Sequence, residues 1–81
     1  MQIPVQFYSY FKDLTGCEST TESLDDGATI QTLMERLFEH FPRLAEMPNS
    51  ILVAVGVEYQ LRDYELRAGD EVSLFPPVQG G

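Results

Sequence analysis

Few residues of this 81-residue chain are equipped for chemistry, and the most promising are the last six, Pro76, Pro77, Val78, Gln79, Gly80 and Gly81. A diglycine carries no side chain to block a narrow channel, and it takes backbone angles that residues with a Cβ avoid. Placed at a free end, it offers the Gly81 carboxylate as the reactive group for another protein's active site. Pro76 and Pro77 fix φ and hold the approach extended. At ~3.3 Å per residue the six residues reach roughly 20 Å. Chain ends ordinarily fray. This one is set apart by a β-rich run, residues 71–75, that leads straight into the prolines.

The other reactive residue types do not assemble into a site. Cys17 and His40 are each the only residue of their kind. They could pair as nucleophile and base, but Cys17 falls in a turn and nothing in the pattern orients the imidazole. A place near the C-terminal end of a helix, where the dipole favours an imidazolium, is the better reading of His40. One cysteine and one histidine make no zinc or iron–sulfur ligand set. Asp25-Asp26 and Asp63 with Glu65 read as turn chemistry rather than a cation site. There is no glycine-rich phosphate loop. No metal and no cofactor bound by the chain are therefore expected.

Composition narrows the class. Hydrophobic residues make up 43% and aromatics 11%, as in a globular domain. A chain this short forms one small core of modest stability, without room for a large internal cleft. The net charge of −8, with five basic residues, argues against nucleic acid and anionic membranes as partners. It suits solubility and steering toward a basic surface. No apolar run approaches the ~20 residues of a membrane span, and the start shows no signal-peptide pattern. The single cysteine suits a reducing compartment, so a cytoplasmic location is expected.

Something must hold the tail, and the pattern supplies it. In residues 2–8, Ile3, Val5 and Phe7 alternate with Gln2, Gln6 and Tyr8, the signal of a half-buried strand. Residues 8–14 suit a helical turn ended by Gly16. Residues 18–24 are polar and threonine-rich and suit an exposed second strand, followed by a turn at Asp25-Asp26-Gly27. Ile30, Leu33, Met34, Leu37, Phe38 and Phe41 form one stripe at helical period. Thr29 sits at the N-cap position, and Pro42 closes the helix. Residues 43–50 read as a loop and residues 51–55 as a buried strand. Gly56 marks a turn, residues 58–61 a short strand, residues 66–70 another turn and residues 71–75 the last strand.

This order predicts an α+β fold of the β-grasp type, a mixed sheet of four to five strands covered by one main helix. Its first and last strands lie parallel at the sheet centre. A ferredoxin-like fold would want a second long helix. The predicted domain spans residues 1–75, and residues 76–81 form a flexible extended tail.

Several segments resemble the small subunit of molybdopterin synthase, a ubiquitin-like sulfur carrier family with a β-grasp fold. They are the run from Leu52 to Tyr59, Ala68-Gly69-Asp70-Glu71-Val72, and Phe75-Pro76-Pro77-Val78-Gln79-Gly80-Gly81, with Phe7 and the K-D-L-T-G stretch from Lys12 to Gly16 as the opening strand and turn. The likeness covers nearly the whole chain. Gly56 departs from the family's usual asparagine, Tyr10 and Lys12 stand where arginines are common, and Asp13 replaces the usual glutamate.

The resemblance implies a mechanism. A ubiquitin-E1-like adenylyltransferase uses ATP to adenylate the Gly81 carboxylate, giving it a good leaving group. A sulfurtransferase then supplies the sulfur that displaces AMP and leaves a thiocarboxylate. The tail inserts into the large, catalytic synthase subunit, where two transfers to cyclic pyranopterin monophosphate build the molybdopterin dithiolene. This chain supplies sulfur, and the partners supply the pockets. By position, Phe7, Tyr59 and Phe75 become candidates for an apolar docking patch that precedes Pro76, Pro77, Val78 and Gln79. The alternation of Phe7 with Ile3 and Val5 equally reads as core. A carrier for thiamine, tungsten cofactor or tRNA thiolation, a protein modifier, and an inert interaction module are the alternative functions.

Overall fold

A computed structural model describes residues 1–46 and 50–77 of the chain. In it β1 (Gln2–Phe7), α1 (Phe11–Thr15), β2 (Ser19–Ser23), α2 (Ile30–His40), a 3₁₀ turn (Pro42–Glu46), β3 (Leu52–Val55), β4 (Glu58–Tyr59) and β5 (Val72–Phe75) follow one another. The alternation in β1 turns Ile3, Val5 and Phe7 into the core, and β5 buries Val72 and Leu74 on the same side. The five strands form one sheet in the order β2-β1-β5-β3-β4. The β1–β5 pair is parallel, and the other pairs are antiparallel. This is the expected β-grasp arrangement, with the first and last strands side by side.

Helix α2 covers one face of the sheet through Ile30, Leu33, Met34 and Leu37, all buried. Its N-terminus is satisfied from two directions, because the first turn of any helix leaves free N–H groups. Thr29 Oγ1 accepts from the Thr32 N–H at 3.4 Å. The crossing segment before β5 supplies carbonyls: Ile30 N–H donates to Tyr64 and Gln31 N–H to Arg62, at 3.0 and 2.9 Å. The other end stops at His40, with Phe41 as the cap between it and Pro42. Gly16, at φ +75°, closes α1 with its N–H on the Lys12 carbonyl at 2.8 Å, a left-handed cap that suits glycine.

Three details differ from the sequence reading. Residues 43–50 are not all loop: Pro42 stops α2 and starts the 3₁₀ turn, which buries Leu44 against the core. Proline does both because its fixed φ suits a first helical position while its ring excludes an interior one. The second strand is not wholly exposed. Glu22 sits opposite buried Ile3, so its side chain points to the covered face, where it is 3% exposed. The third strand is only partly buried, since Leu52 faces outward and Ile51, Val53 and Ala54 face inward or are covered. Pro76 and Pro77 are half-buried and carry no regular structure, while residues 78–81, most of the expected tail, lie outside the described residues. No helix among the described residues is long and apolar enough to cross a membrane.

Candidate functional site

The tail leaves from a central strand that is paired on both edges. β5 pairs with β1 on one side, Val5 with Val72 and Phe7 with Leu74. On its other side it pairs with β3, from Leu52 with Phe75 to Val55 with Val72. Both ladders run almost to the prolines, so a pull on Pro76 is resisted by backbone hydrogen bonds on both edges.

The parity of β5 sorts its side chains. Val72 and Leu74 go to the helix, and Ser73 and Phe75 go to the open face. There Phe75 lies between two tyrosines. The Tyr8 ring stacks on it with centroids 4.6 Å apart and planes 13° apart. Tyr59 approaches edge-on from the other side at 6.1 Å and 81°. Both geometries are favoured by the aromatic quadrupole. Leu52, paired with Phe75 across β3–β5, extends the patch. A shallow cleft of about 360 Å³ continues it past Leu52, Tyr59 and Leu61 to Arg62. Arg62 donates from Nη2 to the Ile51 carbonyl at 3.2 Å, and burial lowers its pKa from the ordinary value. Tyr59 and Leu61, at 63% and 78% exposed, are large apolar surfaces that a soluble domain usually covers with a partner.

The expected site residues therefore divide. Tyr59 and Phe75 come together on the open face, beside Pro76 and Pro77. Phe7 does not join them. It is 2% exposed and meets Phe41 edge-on at 5.5 Å under α2, so of its two readings the core is the one found. The cause is the same parity that carries Ile3 and Val5 inward. Val78, Gln79, Gly80 and Gly81 lie outside the described residues. Tyr8 was missed as a site residue, although its place opposite Phe7 in the alternation already put it on the Phe75 side.

Cys17 and His40 form no nucleophilic pair. The Nδ1 of His40 is 2.6 Å from Oε2 of buried Glu22, and the imidazole is oriented by that carboxylate. Cys17 is half-buried, with its N–H near Thr15 Oγ1 at 3.4 Å. Among the described residues no three His, Cys, Asp or Glu side chains are grouped to hold a metal.

The ThiS family model matches residues 5–81. The chain is 32% identical over 83 residues to the molybdopterin synthase sulfur carrier subunit of Chlamydomonas reinhardtii, covering 100% of both chains. It is 35% identical over 81 residues to the subunit of that name from Escherichia coli K12, covering 98% of this chain and 99% of the other. It is also 29% identical over 92 residues to small archaeal modifier protein 3 of Haloferax volcanii, with full coverage of both. Among solved structures, SAMP1 of Haloferax volcanii superposes with a TM-score of 0.89 at 24% identity over both whole chains, a likeness of fold. The complex of subunits 1 and 2 of molybdopterin-converting factor from Helicobacter pylori contains a chain that matches with a TM-score of 0.75 at 26% identity, again over both whole chains.

Proposed function

The chain belongs to the ThiS family, among the ubiquitin-like sulfur carrier subunits of molybdopterin synthase, and on that premise we propose that Gly81 carries the sulfur as a terminal thiocarboxylate. The observation that carries this reading is the delivery of the tail. β5, hydrogen-bonded on both edges, runs directly into Pro76 and Pro77, four residues from Gly81. A rigid body with a narrow, side-chain-free end is what a partner needs in order to guide one carboxylate into a closed pocket.

In this reading an E1-like adenylyltransferase spends ATP to place AMP on the Gly81 carboxylate. Sulfur from a sulfurtransferase then displaces the AMP. The resulting thiocarboxylate is ionised and nucleophilic at neutral pH. The open face docks on the large synthase subunit through Phe75 and Tyr59; the two-subunit Helicobacter pylori complex, in which a similar chain is held by a second subunit, supports the pairing itself. Gly80 and Gly81 enter the partner's pocket, where sulfur passes to cyclic pyranopterin monophosphate. The chain binds neither ATP nor pterin, and the cytoplasm is its proposed site of action.

Intact and tandem mass spectrometry of the chain, isolated from its own cell without a C-terminal tag, tests this. A fraction with one oxygen replaced by sulfur, mapped to Gly81, is the expected result. A persistent carboxylate after incubation with ATP, activating enzyme and sulfur donor would exclude it. Gly81→Val, or one residue added after Gly81, should abolish sulfur transfer with the thermal unfolding curve unchanged. Normal transfer by either variant would refute the threading mechanism.

The similarity to small archaeal modifier protein 3 favours one second reading, attachment of Gly81 to lysines of other proteins. The two diverge only after the adenylate. Isopeptide-linked Gly-Gly remnants on lysines, found in place of the thiocarboxylate, would select it.

A further inference from the structure

Tyr8 is pinned more firmly than its place at the end of a strand requires. Its N–H donates to the carbonyl of Leu74, the residue immediately before Phe75, at 3.2 Å. Its carbonyl accepts from the Phe11 N–H at 3.2 Å, which ties it to the first turn of α1. The next residue, Ser9, has φ +57°, the only positive φ outside glycine among the described residues. A left-handed serine is a sparsely populated conformation that the surroundings must enforce. Together these hold Tyr8 where its ring lies flat against Phe75, although Tyr8 remains 42% exposed.

The geometry points to Tyr8 as a positioning residue for the tail. Its ring, with Tyr59 at the other side, clamps Phe75 and so fixes where Pro76 and Pro77 leave the sheet. The functional half of this inference rests on the sulfur-carrier reading. A tail whose root is already aimed loses less freedom when it enters a partner's pocket, and preorganisation of this kind appears as affinity. Phe75 contacts the partner in this scheme, whereas Tyr8 acts through Phe75.

The test compares full-length wild type, Tyr8→Ala and Tyr8→Phe. Each is examined by NMR in the free state and by single-turnover sulfur transfer from the thiocarboxylated chain to the large synthase subunit. In Tyr8→Ala the Phe75 ring and Pro76 resonances should move as the ring current is lost. The half-saturating concentration of carrier should rise about three- to tenfold, the range for loss of one aromatic pair, with the saturating rate unchanged. Tyr8→Phe, which keeps the ring and loses the hydroxyl, should restore both readouts. A weakened half-saturation with unmoved Phe75 and Pro76 resonances would make Tyr8 a plain contact residue and overturn the inference. So would moved resonances with unaltered transfer, or failure of Tyr8→Phe to restore them. If wild type itself transfers no sulfur, the sulfur-carrier reading fails, and the NMR comparison still decides whether Tyr8 clamps Phe75.

Discussion

The two faces of this sheet are made by the same strands and meet opposite surroundings. Toward α2, Ile3, Val5, Phe7, Val72 and Leu74 are almost wholly withdrawn from water. Toward solvent at one end of the sheet lie Phe75 of β5, Leu52 of β3 and Tyr8, one residue past β1, with Tyr59 from β4 beside them. The open face is polar along β2 and most of β1, where Gln2, Gln6, Ser19, Thr21 and Ser23 point outward, and its apolar patch is confined to the end where β5 runs into the prolines; no helix lies over that patch. Burial of the covered face supplies most of the folding free energy, at about 25 cal/mol per Å² of apolar surface. Exposure of the patch leaves the same driving force unspent and available to a partner. Adjacent residues such as Leu74 and Phe75 thus belong to different problems, stability and recognition, separated by a single step of the pleat.

The sharpest way to break this contrast is to remove one ring from each face. On the covered side, Phe7→Ala should cost about 3–5 kcal/mol, a large part of the stability of so small a domain, as read by urea unfolding. A loss below about 1 kcal/mol would mean that the covered face is not the core. On the open side, Phe75→Ala should leave the urea midpoint nearly in place but weaken binding to the large subunit about tenfold or more by calorimetry, as for an aromatic at an interface centre. Equal affinity for the two chains would remove the open face from the interface. The smallest effect concerns Glu22, the one buried carboxylate among the described residues. His40→Ala leaves Glu22 without its imidazole and should lower stability by about 1–2 kcal/mol, while Glu22→Gln, which can still hydrogen-bond, should cost less. The reverse order of those two variants would show that the pair contributes nothing as a pair.

Much of this was legible in the residues themselves. Alternation in β1 and the 3.6-residue stripe of α2 are signals of burial, and burial decides both elements. The parallel pairing of β1 with β5 followed from the order of elements and the lack of a second long helix. What escaped has a common physical cause, because it depends on contacts between distant segments. Glu22 and His40 are 18 positions apart and meet only because β2 lies beside the C-terminal end of α2. The stacking of Tyr8 on Phe75 requires the β1–β5 register, which no local pattern encodes. Leu52 was read as buried because a short continuous apolar run carries no facial information. Phe7 had two readings, and its own parity would have chosen between them.

The place of β5 has a consequence for how the protein is made. It follows the other four strands in sequence yet lies between β1 and β3 at the middle of the sheet. During synthesis those two strands wait with unpaired edges until β5 leaves the ribosome, since the pairings that close the sheet span most of the chain. A copy cut short before β5 keeps those raw edges and is open to proteases and aggregation. A chain truncated before Val72 should therefore be degraded or aggregate when expressed, rather than accumulate as a folded body that lacks only the strand leading to the tail.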